Sequence, residues 1–126
     1  MPNRSDIVEA YIGLGSNLGD SKKEVNLAMK TIGSLRECQL VKVSSLYESR
    51  PEGELQQPNY VNAVVKISTR LPPHKLLADL FVIEDDRGRV RTHRNQSRIL
   101  DLDLLLYGDL KVSEPGLIVP HPRLHK

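Results

Sequence analysis

This 126-residue chain has one cysteine, no tryptophan and one phenylalanine, and its aromatic content is only 4 %. A single thiol, Cys38, excludes any disulfide within the chain. It lies in or beside an apolar run and reads as a structural residue. So few aromatics argue against a single-stranded RNA reader, which needs stacking rings on its central strands. No apolar run approaches the roughly 20 residues of a membrane span. The first residues, MPNRSDIVEA, lack the apolar core of a secretory signal. These absences predict a cytoplasmic protein with no membrane partner. The net charge of +2 is too small for general nucleic-acid binding. Internal repeats and low-complexity tracts are also missing, and the length suits one domain, residues 1–126.

The charge that is present is concentrated. Arg87, Arg89, Arg91, Arg94 and Arg98 fall within RGRVRTHRNQSR, with no acid among them. Guanidinium is a fixed, permanently charged fork that suits phosphate oxygens. On a helix four of these would form one basic stripe, but Gly88, Thr92, His93, Asn95 and Ser97 are mediocre to poor helix formers. A loop feeding a strand is expected. Next comes the alternating run Leu100-Asp101-Leu102-Asp103-Leu104. Residues i and i+2 of a strand share a face, so both carboxylates would point one way with the leucines packed behind. In a helix the pair would diverge by roughly 200°. Paired carboxylates beside phosphate-seeking cations suit a Mg-nucleotide. The bland alternative is an edge strand with two solvated acids.

The remaining chain supplies a scaffold. Ile7 to Leu14 reads as a strand ending in Gly13-Leu14-Gly15-Ser16-Asn17-Leu18-Gly19, where the glycines permit a turn or close backbone approach. There is no P-loop pattern. A helix from about Lys22 to Arg36 follows, with Asp20 or Ser21 as N-cap and Val25, Ala28, Met29, Ile32 and Leu35 as its buried face. Leu40 to Tyr47 is a second strand, and residues 48–59 a long polar loop with the length of a lid. In the third strand, Tyr60 to Thr69, Tyr60, Asn62, Val64, Lys66 and Ser68 share one face. Pro72-Pro73 opens a second helix whose apolar stripe is Leu76, Leu77, Leu80, Phe81 and Ile83, with Glu84 near its end. Leu100 to Tyr107 is the fourth strand, and Leu110–Val112 and Leu117–Val119 are short extended pieces. The order β-α-β-β-α-β predicts an α+β, ferredoxin-like fold: an antiparallel sheet with both helices on one face.

Several blocks together carry a resemblance. They are Tyr11-Ile12-Gly13-Leu14-Gly15-Ser16-Asn17-Leu18-Gly19, Gln57-Pro58-Asn59-Tyr60-Val61-Asn62-Ala63, and Gly88-Arg89-Val90-Arg91. Arg98-Ile99-Leu100-Asp101-Leu102-Asp103 and Val119-Pro120-His121-Pro122-Arg123 complete the set. In this order and spacing they resemble the 6-hydroxymethyl-7,8-dihydropterin pyrophosphokinases of folate biosynthesis. The resemblance implies transfer of pyrophosphate from ATP to the pterin hydroxymethyl, with release of AMP. It implies two Mg²⁺ ions held by Asp101 and Asp103, with ATP as co-substrate. Arg89 and Arg91 match loop arginines that close on the nucleotide. Glu84, Arg91, Arg94, Arg98 and His121 match the ATP site. Ser49, Tyr60, Asn62 and Asn95 match the pterin pocket. The expected partners are small molecules, and a monomer is expected with an oligomer left open.

The chain departs from the family pattern in two places. Arg94-Asn95-Gln96-Ser97-Arg98 stands where relatives carry Arg-Trp-Gly-Pro-Arg, and the sequence stops at Lys126, where the family continues. An aromatic wall of the pterin pocket is then expected to be missing. Base–aromatic stacking is worth about 1–3 kcal/mol, so weaker pterin affinity is expected. Two competing readings follow from the residues: a nucleotide-binding paralog without pterin turnover, and an RNA-binding domain using the arginine loop.

Overall fold

A computed structural model describes residues 6–17, 19–50, 59–87, 100–114 and 117–121. Its elements are β1 (Val8–Ser16), α1 (Ser21–Gly33), β2 (Cys38–Val43), β3 (Tyr47–Ser49), β4 (Tyr60–Thr69), α2 (Pro73–Asp86), β5 (Asp101–Tyr107), β6 (Val112–Glu114) and β7 (Leu117–Val119). The main sheet runs β2-β4-β1-β5, with β3 also paired to β4. Every pairing in it is antiparallel. This is the ferredoxin-like arrangement the sequence predicts. Among the described residues no helix is long and apolar enough to cross a membrane.

The period-2 pattern decides which face is which. Ala10, Ile12 and Leu14 of β1, Ala63, Val65 and Ile67 of β4, and Leu102 and Leu104 of β5 are buried. Val25, Ala28 and Ile32 of α1 and Leu76, Leu80 and Ile83 of α2 join them in one core. The opposite face carries Tyr11, Gly13, Gly15, Asn62, Val64, Lys66, Asp101 and Asp103, partly exposed apart from Gly15, which is buried. One layer of helices therefore leaves the other face of the sheet free for chemistry.

Local chemistry sets the ends of the helices. Asp20 caps α1, its Oδ1 accepting from the Lys23 backbone N–H at 3.2 Å. Gly19 before it has φ +76°, a left-handed conformation that favours glycine. Pro73 opens α2, where a missing N–H leaves no helical bond unmade. Just past the end of α2, Arg87 donates through Nε (2.8 Å) and Nη2 to the Glu24 carboxylate of α1. This bidentate pair ties the two helices together where residues 88–99 begin.

Five details differ from the sequence expectations. β1 continues to Ser16 rather than ending at Leu14, so Gly15 is a strand residue and its role is close approach rather than a turn. α1 ends at Gly33, where a side chain would collide with Leu40 of β2. The second strand divides because Ser44 interrupts it: its Oγ accepts from Val64 N–H at 2.8 Å, taking a position the ladder would fill. Phe81 is 40 % exposed, and Glu84 takes the inner stripe of α2 instead. The short strand expected at Leu110–Val112 lies at Val112–Glu114 and pairs with β7 in a separate two-stranded sheet.

Candidate active site

The central strand β1 brings the chemistry together. Gly15 pairs with Asn62 of β4 on one side and with Asp101 of β5 on the other. Gly13 likewise pairs with Val64 and Asp103. Directly paired residues share a face, so Asn62, Gly15 and Asp101 form one row across three strands on the open side. At 4.7–4.9 Å per strand, the row spans about 10 Å from Asn62 to Asp101.

At one end of the row, the Asn62 amide is held in place. Its Nδ2 donates to Ser49 Oγ at 2.8 Å, with the Tyr47 and Tyr60 carbonyl oxygens at 3.3 and 3.4 Å. Its Oδ1 lies over Gly15, where an added Cβ would stand 3.2 Å from it and 3.4 Å from Tyr60 Cδ1. Glycine is required here by close approach, not by backbone conformation. The amide thus turns its donor into β3 and its acceptor toward the middle of the sheet. Ser49, Tyr60 and Asn62 are brought together as one polar and aromatic corner.

At the other end, Asp101 and Asp103 stand half-buried on the open face, with Leu100, Leu102 and Leu104 buried behind them. The alternation is what the L-D-L-D-L pattern dictates once the segment is extended. His121 stands beside them: its Nε2 is 3.5 Å from Asp103 Oδ1, and its backbone N–H donates to Leu105 O at 2.9 Å. Glu84 lies below. Its side chain is within a residue only 1 % exposed, and Oε2 accepts from the Leu102 N–H at 2.7 Å.

Two half-exposed carboxylates sharing a face fit a hard divalent cation such as Mg²⁺. That ion takes one or two carboxylates and completes its octahedron with water and phosphate oxygens. Among the described residues no group of three or more ligating side chains converges. Arg89, Arg91, Arg94, Asn95 and Arg98 lie outside the described residues.

Sequence reading missed Gly15 as the floor of this corner and the Tyr47 carbonyl as an acceptor for Asn62. The i, i+2 spacing of Gly13 and Gly15 in an otherwise apolar strand is the signal that points to the first. No sequence signal marks the second.

An open antiparallel sheet in ferredoxin-like order, with helices on one face and a carboxylate pair on the other, defines an α+β domain that leaves one sheet face for a site. The profile of the 7,8-dihydro-6-hydroxymethylpterin-pyrophosphokinase family matches residues 11–126, and the chain belongs to that family. Its relatives carry the same activity in their names. A 2-amino-4-hydroxy-6-hydroxymethyldihydropteridine pyrophosphokinase of Haemophilus influenzae is 47 % identical over 119 residues, covering 94 % of this chain and 74 % of that protein. The namesake in Pseudomonas aeruginosa is 44 % identical over 115 residues, covering 91 % and 71 %. Another in Pseudomonas putida is 41 % identical over 119 residues, covering 94 % and 98 %.

Proposed function

We propose that this chain transfers pyrophosphate from ATP to the hydroxymethyl group of 6-hydroxymethyl-7,8-dihydropterin, a step of folate biosynthesis. The pterin hydroxyl oxygen forms a bond to the β-phosphorus of ATP. The bond from that phosphorus to the α,β-bridging oxygen breaks, AMP departs, and the hydroxyl proton is lost to solvent. The observation that carries this reading is the single row Asn62–Gly15–Asp101. It sets a fixed amide and a carboxylate pair about 10 Å apart on one rigid surface, a spacing suited to a ring at one end and its reacting side chain at the other.

Asn62 orients the pterin through its exposed Oδ1, and Tyr60 supplies an apolar wall. Ser49 holds the Asn62 amide from behind. Asp101 and Asp103 would hold Mg²⁺, which supplies charge neutralisation on the phosphate oxygens when bound. His121 lies where it can donate to a phosphate oxygen beside Asp103. The arginines Arg89, Arg91, Arg94 and Arg98 supply further cations to the triphosphate by the family pattern. Catalysis of such transfers is largely positioning and electrostatic stabilisation, so no covalent nucleophile is required of the protein.

The test is AMP formation from Mg-ATP with and without the pterin. Pterin-dependent AMP supports the reading. Silence with the folded protein and both substrates present overturns it.

A further inference from the structure

Glu84 is the most deeply buried carboxylate among the described residues, at 1 % exposure. Burying a carboxylate is costly unless hydrogen bonds compensate it. Its Oε2 accepts from the backbone N–H of Leu102, the residue between Asp101 and Asp103. β5 pairs with β1 on one side and is the last strand in the order β2-β4-β1-β5. An amide on the outer side of such a strand has no ladder partner, and the carboxylate of α2 provides one. Rotation of this backbone would turn both flanking aspartates, because neighbouring side chains follow the pleat. The ladder to β1 fixes one edge of the strand, and the buried Leu100, Leu102 and Leu104 add apolar contact, which is not directional. The hydrogen bond at 2.7 Å fixes the outer edge.

We propose that Glu84 is a positioning residue for the carboxylate pair rather than the ATP contact that the resemblance implies: it acts through the Leu102 amide on cation binding, not by touching the nucleotide. The proposal rests on the reading that Asp101 and Asp103 hold a divalent cation. Groups that orient metal ligands typically alter metal affinity by 10- to 100-fold when removed.

The test uses the full chain and Mn²⁺ as the probe, titrated by electron paramagnetic resonance in the presence of ATP. Glu84→Met removes the acceptor at similar volume, and Glu84→Gln keeps an acceptor without the charge. The Leu102 amide proton is followed by NMR in each. Expected results are a Mn²⁺ dissociation constant raised about tenfold or more in E84M and about threefold in E84Q. Both should show an upfield shift of the Leu102 amide, and ATP affinity in EDTA should stay within about twofold. An unchanged Mn²⁺ affinity in folded E84M overturns the proposal. So does a loss of ATP affinity in EDTA as large as the loss for Mn²⁺. If E84M does not fold, E84Q decides: a shifted amide with reduced Mn²⁺ affinity supports the proposal, and a shifted amide with unchanged affinity overturns it. An amide that stays in place in E84Q overturns it if Mn²⁺ affinity falls and supports it if affinity holds. The titration needs no pterin. Wild-type protein that binds Mn²⁺-ATP but forms no AMP would refute the transfer reading and leave this one standing.

Discussion

Replacing Gly15 with alanine separates the proposed pterin corner from the carboxylate end of the site. The new methyl would lie 3.2 Å from Asn62 Oδ1 and 3.4 Å from the Tyr60 ring. The first contact is tighter than ordinary packing, so Asn62 must yield by a few tenths of an ångström. Its Nδ2 bonds to the Tyr47 and Tyr60 carbonyls, at 3.3 and 3.4 Å, are already near the limit of hydrogen bonding. A small shift would break them and misalign the acceptor. One weakened hydrogen bond costs about 0.5–1.5 kcal/mol, which is about 2- to 12-fold in affinity at room temperature. Folding itself should change little, since alanine reduces unfolded-chain entropy by about 0.4–1 kcal/mol against the local crowding. Steady-state kinetics with saturating Mg-ATP should therefore show a raised KM for the pterin, a preserved kcat, and an ATP KM within about twofold of wild type. A pterin KM that stays put in a folded G15A protein would refute the geometry. An equal rise in both KM values would refute the division of the site into two ends.

Three further outcomes are expected. Asp101→Asn and Asp103→Asn should each lower AMP formation by at least about 100-fold while leaving the thermal midpoint within a few degrees, measured by the coupled assay and by circular dichroism. Both carboxylates are half-exposed, so their loss opens no core cavity. Ser49→Ala removes the 2.8 Å acceptor of Asn62 and should raise pterin KM by about 2- to 12-fold without affecting ATP. The third outcome concerns Tyr107, whose phenol donates to Leu71 O and whose burial pushes its pKa up. The native state therefore holds that proton more tightly than the unfolded chain. Its stability contribution is complete below the unfolded phenol value of about 10 and is lost as pH rises through the higher native value. Melting curves from pH 8 to 11 should fall on the alkaline side, and Tyr107→Phe should flatten that fall after an initial loss of about 1–2 kcal/mol.

The sequence made the carboxylate end of the site legible because alternation is a one-dimensional signal. Leu100 to Leu104 can place both aspartates together only in a strand, and the structure has that strand. The face shared by Tyr60 and Asn62 was legible for the same reason. The corner around Gly15 was not. A glycine reads equally as a turn or as room for a neighbour, and only the partners across the sheet, Asn62 and Tyr60, distinguish the two. The exchange of Phe81 and Glu84 was also invisible. Both lie near the boundary of the helical stripe, and the choice depends on the Leu102 amide, a group from another part of the chain. Ser44 ends β2 through its own hydroxyl, which propensity alone would not place.

The row Asn62–Gly15–Asp101 also bears on how the fold comes apart. Its three members come from the first, middle and late parts of the chain and meet only when β1 has paired on both edges. No local fragment of the sequence can bring the two ends of the site together. The apolar backs of the same strands form the core, so losing the site and melting the domain are one cooperative event. Ligand binding should then be felt far from the ligand. A substrate present at 100 times its dissociation constant adds about 2.7 kcal/mol to the resistance of the whole fold. Hydrogen exchange along β1, including residues that touch nothing but neighbouring backbone, should slow accordingly.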